Sequence, residues 1–566
     1  MLELNFIDPK QAWLSDTDLT RVDVPGLYKS IFAQGGNLTC GEVVNAFGGC
    51  TLGGSSAINA GLYFQPPASD FDLYFPQGWK ADDMKPAIAR LNALQHPTNI
   101  TSQDGIRYLQ SGHEAARKWI VDGLKFTETD FVKQPDSKTA VFGYPVYDYT
   151  DGQRGGPVVT YLQTALKREN FHLQTNTRVL RVERTKGHAT GVTVSAGGQE
   201  TVVKLSPKGR VILSGGALMS PGLLMHSGIG SPDVLSALQS AGKLSTSLSS
   251  SDWINSSAVG AGLFDNPNTY IELEGTTVDS YVHSYEEPLI SDEQLYLQHR
   301  SGPYTYASQT SAFWDTTTHE DGSIVGLQGT IDSSGYSTYT SNSTITLNIY
   351  GTSGLKSRGH VVLDEKFVPG PSEDTYYSDP NGQDAQDIAG FIYKILQALP
   401  NSGLNSLNIP QDSTQAEIEK YITTPSAFAK GMVNHWSSSC QIGTCVDQNT
   451  TVVGMDNLHV VDGSIIPPLT VNPQFGVMAA AERASDLILA LSGNTTTSTA
   501  TSSSGMASNS PGMASKSSGT STSTENVKVA ASESAGASVS TGGAVPMQTS
   551  APVLGAMVLV AAMYGI

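Results

Sequence analysis

Apolar and polar positions change period along the chain, and the changes mark its elements. Val179-Leu180-Arg181-Val182 and Gly191-Val192-Thr193-Val194 are rich in β-branched residues. They flank the polar turn Lys186-Gly187-His188, which predicts two strands. Arg210-Val211-Ile212-Leu213-Ser214 is another short β-branched run. Gly215-Gly216-Ala217 and then Ser220-Pro221-Gly222-Leu223-Leu224-Met225 follow it, completing a strand–turn–helix unit. The proline is expected near the helix start, where its missing N–H is not needed. From Val477 to Leu491 small and apolar residues recur at helical spacing, which predicts a helix. The mixture implies an α/β core with an α+β insertion.

This patterning stops at residue 492. From Gly493 the sequence is rich in Ser, Thr, Gly and Ala, too polar to bury a core, and reads as a disordered, O-glycosylated stalk over 493–550. Residues 551–566 form an apolar tail with no charge after it, shorter than the ~20 residues of a membrane span. With the small residues Ser540, Thr541, Gly542 and Gly543 upstream, it has the layout of a GPI-attachment signal. A frayed hydrophobic terminus is the alternative.

The 566 residues suffice for two or three domains. The net charge of −19 repels phosphate backbones and argues against a nucleic-acid partner. Six Asn-x-Ser/Thr sequons and an even number of cysteines favour a secreted, glycosylated, oxidising setting, extracellular or at the cell surface. The opening Met1-Leu2-Glu3-Leu4-Asn5-Phe6 has no basic n-region and no apolar h-region, so it is not a signal peptide; the expectation is that a true N-terminus precedes it.

Two stretches carry candidate chemistry. Gly48-Gly49-Cys50-Thr51-Leu52-Gly53-Gly54-Ser55-Ser56-Ala57-Ile58-Asn59 ends in hydroxyls and an amide. Its glycines allow close backbone approach to an anion, or else make a tight packing turn. Asn434-His435-Trp436 and, further on, Asp462-Gly463 and Asn472-Pro473-Gln474 bring a histidine, an aspartate and an asparagine together in chain order. A histidine is more often structural than catalytic, and the chain has eleven. Asp462 also reads as a helix cap, and Asn472-Pro473 as an ordinary turn. Cys440 and Cys445 near His435 admit a metal site, but no fourth ligand stands at zinc-like spacing. A small disulfide loop is expected there instead, with Cys40 and Cys50 as a second pair and no metal.

The glycine-rich block, the segment Gly216 to Gly230 and the C-terminal block together resemble the glucose–methanol–choline (GMC) flavoprotein oxidoreductases over residues 10 to 492. Within that family, Leu19 to Gly26, Tyr161 to Leu166 and Asn434-His435-Trp436 resemble the flavin domain of cellobiose dehydrogenases. The resemblance implies an α/β FAD-binding domain over 1–75, 150–265 and 440–492. It implies an α+β substrate domain with an antiparallel sheet over 76–149 and 266–439. The implied cofactor is FAD. The implied substrate is a small alcohol or saccharide, oxidised at a CH–OH group, with the electron acceptor unspecified. His435 would be the base that takes the hydroxyl proton, and Asn472 would orient the substrate oxygen. Gly53, Gly54, Ser55, Asn59, Val179, Asp462, Gly463, Pro473 and Gln474 would line the cofactor, and Asn434 and Arg358 would contact sugar.

The sequence departs from the family in lacking the Gly-x-Gly-x-x-Gly turn of the dinucleotide-binding βαβ unit. The expectation drawn from this is an FAD domain truncated at its N-terminus. Phe475-Gly476 also stands where relatives carry a small residue and threonine. The rival expectations are an aryl or aliphatic alcohol oxidase and a catalytically inactive surface protein.

Overall fold

The computed structural model describes residues 11–39, 44–245, 247–281 and 287–493, with the backbone of 558–560. The chain divides into two units, Met1–Ser492 with Gly555–Ile566, and Gly493–Leu554. The expected stalk and nearly all of the expected anchor signal lie outside the described residues. Among the described residues no helix is long and apolar enough to cross a membrane.

One core forms around two sheets. The strands Thr177–Thr185, His188–Ala196 and Gln199–Lys204 make an antiparallel meander, with Lys186 in the left-handed region at the first turn. This is the hairpin expected from the two β-branched runs. Val211–Leu213 pairs in parallel with Leu458–Val460 on one side and with the backbone of Val558–Val560 on the other. All three residues of Val211–Leu213 are buried, as befits a strand covered on both faces.

The helix after that strand runs from Gly216 to His226, so Pro221 lies inside it and not near its start as expected. A proline there cannot donate to the carbonyl four residues back, that of Ala217. The Ser439 hydroxyl donates to this carbonyl instead, which is how the helix tolerates the proline. The last described helix, Gln474–Leu491, starts three residues earlier than its apolar pattern suggested. It packs on Ala81–Leu94, and Arg90 reaches across to Glu482 and Asp486.

The second core is built on an eight-stranded sheet, antiparallel except at the Thr127–Glu128 edge. Its central strands are Gln309–Thr318, Ile324–Asp332, Thr344–Gly351 and Pro267–Gly275, in that spatial order. Side chains alternate between faces along each strand. Ile271, Leu273, Leu347 and Ile349 point to one face and pack with Ile388, Ile392 and Ile395 of helix Gln383–Gln397. The other face is polar and largely buried, with Tyr270 and Asn348 partly exposed. The register sets Asn268, Tyr350 and Gln328 in one row, and Tyr270, Asn348 and Thr330 in the next. A buried polar row with unmet hydrogen bonds is costly, and this one lies against the residues described next.

Candidate active site

His435 is fixed from three directions. Its backbone N–H and that of Asn434 donate to the two oxygens of Asp265, at 2.7 and 3.1 Å. The Tyr376 hydroxyl also donates to Asp265. This grip holds Asn434 in the left-handed region, at φ 66°. Burial pushes the Asp265 carboxyl up to about 6, while these hydrogen bonds oppose the rise.

The third anchor sets the tautomer. Asn266 Nδ2 donates to the Gly351 carbonyl at 2.7 Å, so its Oδ1 faces the imidazole. His435 Nδ1 lies 2.9 Å from that oxygen. A carbonyl oxygen only accepts, so Nδ1 carries the proton and Nε2 keeps its lone pair. Burial lowers the His435 pKa to about 3, which keeps the ring neutral over the ordinary working range. Its pKa therefore lies well below the ordinary value of a histidine.

Asn472 is brought to the unprotonated nitrogen and donates to it. Its Oδ1 accepts from Gln328 Nε2 at 2.8 Å, and its Nδ2 points at Tyr350 Oη (3.2 Å) and His435 Nε2 (3.3 Å). One amide N–H thus meets Tyr350 and the other meets the imidazole lone pair. A hydroxyl entering between them would replace that contact, donating to Nε2 and accepting from Asn472. A cavity opens beside them, walled by Phe264, Ile466, Pro467, Leu469, Val471 and Pro473. Asn266, His435 and Ser437 are the polar members of its lining. Trp436 Nε1 and Asn434 Oδ1, on either side of His435 in the chain, are buried with no hydrogen-bond partner among the described residues.

The other predicted residues divide into groups. Gly53 and Gly54 both have positive φ and make the tight turn into the short helical turn Gly54–Ala57. Ser55 Oγ accepts from Gly49 N–H. Asn59 donates to Gln474 Oε1 at 2.6 Å, and Gln474 donates to Asp148 at 2.7 Å. Arg154, fully buried, donates to both the carbonyl and the amide oxygen of Asn59. The glycine turn and the Pro473-Gln474 segment are therefore joined through one buried network. Burial raises the Asp148 carboxyl within it to about 7.

Asp462 accepts from Gly216 N–H, Ser220, Ser464 N–H and Ser464 Oγ. Both its oxygens are engaged with the protein, which is the capping arrangement weighed above. Burial raises its pKa. Gly463 passes close under the Trp436 carbonyl, which a Cβ there would meet at 3.0 Å. Val179 sits in the Thr177–Thr185 strand, in the first core and outside the His435 cavity. Arg358 lies behind the cavity wall, its guanidinium 5.1 Å from the Phe264 ring centre and its Nη1 bound to the carbonyls of Leu355 and Ser357. Cys440 and Cys445 form the expected disulfide. Cys50 is disulfide-bonded too; Cys40, its expected partner, lies outside the described residues. Among the described residues no group of His, Cys, Asp and Glu could hold a metal ion.

Asp265, Asn266, Gln328 and Tyr350 escaped the sequence reading. The alternation Asn268-x-Tyr270-x-Glu272 was the only local trace of their polar face.

A buried, unprotonated histidine nitrogen beside an amide donor and a small cavity is suited to taking the proton of a hydroxyl. Comparison with known proteins agrees. The N-terminal profile of the GMC oxidoreductases matches residues 28–268 and the C-terminal profile matches 356–481. The chain belongs to the GMC oxidoreductases, a family of flavin enzymes acting on CH–OH groups. It is 26% identical over 488 residues to choline oxidase of Arthrobacter globiformis, covering 79% of this chain and 82% of that one. It is also 26% identical to the oxygen-dependent choline dehydrogenase of Staphylococcus saprophyticus, with the same coverage. Its fold superposes on formate oxidase of Aspergillus oryzae with a TM-score of 0.68 at 17% identity, over 84% of this chain and 91% of the other. It superposes on a fungal aryl-alcohol oxidase with a TM-score of 0.58 at 17% identity, over 78% and 86%.

Proposed function

We propose that the protein removes hydride from the carbon of a CH–OH group while His435 Nε2 takes the hydroxyl proton. The observation that carries this reading is the tautomer imposed by Asn266, which leaves Nε2 unprotonated 3.3 Å from the Asn472 amide. FAD, when bound, supplies the hydride acceptor. Its ring would lie against the wall formed by Leu469, Val471 and Pro473. The Asn472 N–H that meets His435 Nε2 would turn to the substrate oxygen, while Tyr350 and Gln328 hold Asn472. The low pKa of His435 does not prevent proton transfer. A hydroxyl losing hydride becomes a protonated carbonyl, a far stronger acid than any imidazolium.

We propose a saccharide as the substrate. Beyond the catalytic pair, the polar rows of the sheet carry Asn268 Oδ1, Gln328 Oε1 and Asn348 Oδ1, all buried and without hydrogen bonds among the described residues. Three carbonyl acceptors call for a ligand with several O–H donors. Tyr270 packs with Tyr336, and Tyr336 with Phe428, so the same face leads to aromatic rings. The dehydrogenase likeness to cellobiose-oxidising enzymes supports the same reading. The domain division given above and the cofactor-lining roles of the glycine turn belong to this proposal. So does an extracellular setting, which the Cys440–Cys445 disulfide supports.

The test is a panel of cellobiose, glucose, an aryl alcohol and choline, each assayed for dye reduction and for peroxide. Turnover of the sugars with loss in His435→Ala supports the proposal. Turnover of choline or the aryl alcohol alone removes the saccharide reading. No turnover in a flavin-loaded protein favours an inactive surface protein.

A further inference from the structure

The segment that carries Asn472 has no ladder to hold it. Residues 467–472 lie between the short turn Gly463–Ile465 and helix Gln474–Leu491, in neither helix nor strand. Yet Leu469, Val471 and Pro473 line the cavity, and Asn472 meets His435 Nε2. Three side chains converge on Thr470, in the middle of this stretch. Asp70 accepts from its N–H at 2.8 Å and from its hydroxyl. Trp314 Nε1 donates to its carbonyl at 3.0 Å, and the Ser353 hydroxyl lies 2.8 Å from the Thr470 hydroxyl. Thr470 gives its single hydroxyl proton to an ionised Asp70, so Ser353 donates to Thr470. Both backbone groups and the side chain of Thr470 are thereby engaged.

The anchors come from well-packed parts of the chain. Asp70 is 1% exposed in helix Ala68–Tyr74, 400 residues before Thr470. Trp314 is buried in strand Gln309–Thr318, edge-on to the rings of Phe64 and Phe131, with centres 4.8 Å away in each case. Lys138 sits over Phe131 and Trp314, its Nζ 5.3 and 5.2 Å from their ring centres. Burial lowers its amine to about 8. Burial also raises the Asp70 carboxyl to about 7, a rise that the Thr470 hydrogen bonds and Lys138 oppose. Placing a carboxylate this deep is costly unless it is hydrogen-bonded. Here both of its oxygens are given to one residue of an unpaired segment.

We propose that Asp70 and Thr470 are a positioning pair for the oxidation, a role that rests on the reading of His435 as the base. They hold the backbone of 469–473 where the Asn472 amide reaches His435 Nε2 and, in its place, the oxygen of an entering hydroxyl. Neither residue lines the cavity, so they act through Asn472, two residues after Thr470. A shift of about 1 Å in a group that orients the reacting atoms costs about 100-fold in rate.

Two readouts on the full chain test this. Nitrogen NMR of histidine-labelled protein, without substrate, follows the His435 Nε2 resonance, identified by its loss in His435→Ala. Asn472→Leu gives its position when the amide is gone. Anaerobic flavin bleaching by cellobiose gives the rate. Asp70→Asn and Thr470→Val are expected to move the resonance toward that of Asn472→Leu and to slow bleaching at least about tenfold. Thr470→Ser keeps the hydroxyl and should hold both near wild type. Added to Asn472→Leu, Asp70→Asn should cost nothing more in rate, because both act on one contact. Asp70→Asn keeps an acceptor for the Thr470 N–H; if it does not fold, Thr470→Val carries the test. A wild-type resonance in the folded variants, or rate losses that multiply with that of Asn472→Leu, would overturn the proposal. No bleaching in the flavin-loaded wild type would instead remove the base role of His435, while the resonance still decides whether Asp70 and Thr470 place Asn472.

Discussion

Asn266→Asp is the substitution that speaks most directly to how His435 is set. It keeps an oxygen near Nδ1 but adds a negative charge, and it removes the donor to the Gly351 carbonyl. Two unit charges about 4 Å apart interact by about 4 kcal/mol at an effective dielectric of about 20, equivalent to about three pH units. Burial holds the wild-type imidazole at about 3, so the variant should titrate near 6. The sign follows from the role. A base must be neutral, so wild-type kcat/KM should show no histidine limb from pH 5 upward. The variant should keep its plateau above about pH 7 and fall about tenfold per pH unit below 6. The assay is kcat/KM against pH with an artificial acceptor, with flavin absorption and circular dichroism to confirm loading and folding. An acid limb that stays put, in a folded and loaded variant, would refute both the Asn266 contact and the base assignment.

Other substitutions follow from the same geometry. His435→Ala should lower kcat by about 10²–10⁴-fold in stopped-flow turnover while leaving the flavin spectrum in place. Asn472→Leu removes a donor to the substrate oxygen and should cost about 1.5–3 kcal/mol, or roughly 10–150-fold in kcat/KM. Asp265→Asn replaces one accepting oxygen with a donor facing the Asn434 or His435 N–H; it should lower the melting temperature and reduce kcat more than it changes KM. Stability should rise as pH falls from 8 to about 6.5. Asp70, Asp148 and Glu272 are raised by burial to about 7 and Asp265 to about 6, so the folded state binds more protons than the unfolded one in that window. Below about 6.5 the trend should flatten, because His435 and His459, lowered by burial to about 3 and 4, take up protons only on unfolding. Differential scanning calorimetry across the range checks both parts.

Local chemistry made some of this legible in the sequence. Asn434-His435-Trp436 and Asn472-Pro473-Gln474 pointed to the residues that the fold brings together. The β-branched runs gave two of the meander's three strands, and the apolar period gave most of the Gln474–Leu491 helix. What stayed hidden depends on pairing over long distances. Asn266 and Asp265 lie about 170 residues before His435, and nothing in their neighbourhood announces which backbone they will hold. Tyr350 and Gln328 become site residues only through the register of two strands. The position of Pro221 was misjudged because the carbonyl it leaves unbonded is satisfied by Ser439, more than two hundred residues away. Likewise Asp462 was legible as an important acidic residue, but its four hydrogen bonds could be assigned only once Ser220 and Ser464 were seen beside it.

The central claim is that His435 accepts the proton of a hydroxyl as hydride leaves its carbon. Anaerobic mixing of the flavin-loaded protein with cellobiose, followed by flavin absorption, tests it most directly. The account predicts rapid, complete bleaching in the wild type and bleaching slowed at least about a hundredfold in His435→Ala. Equal bleaching rates in the two proteins, both loaded with flavin, would contradict it.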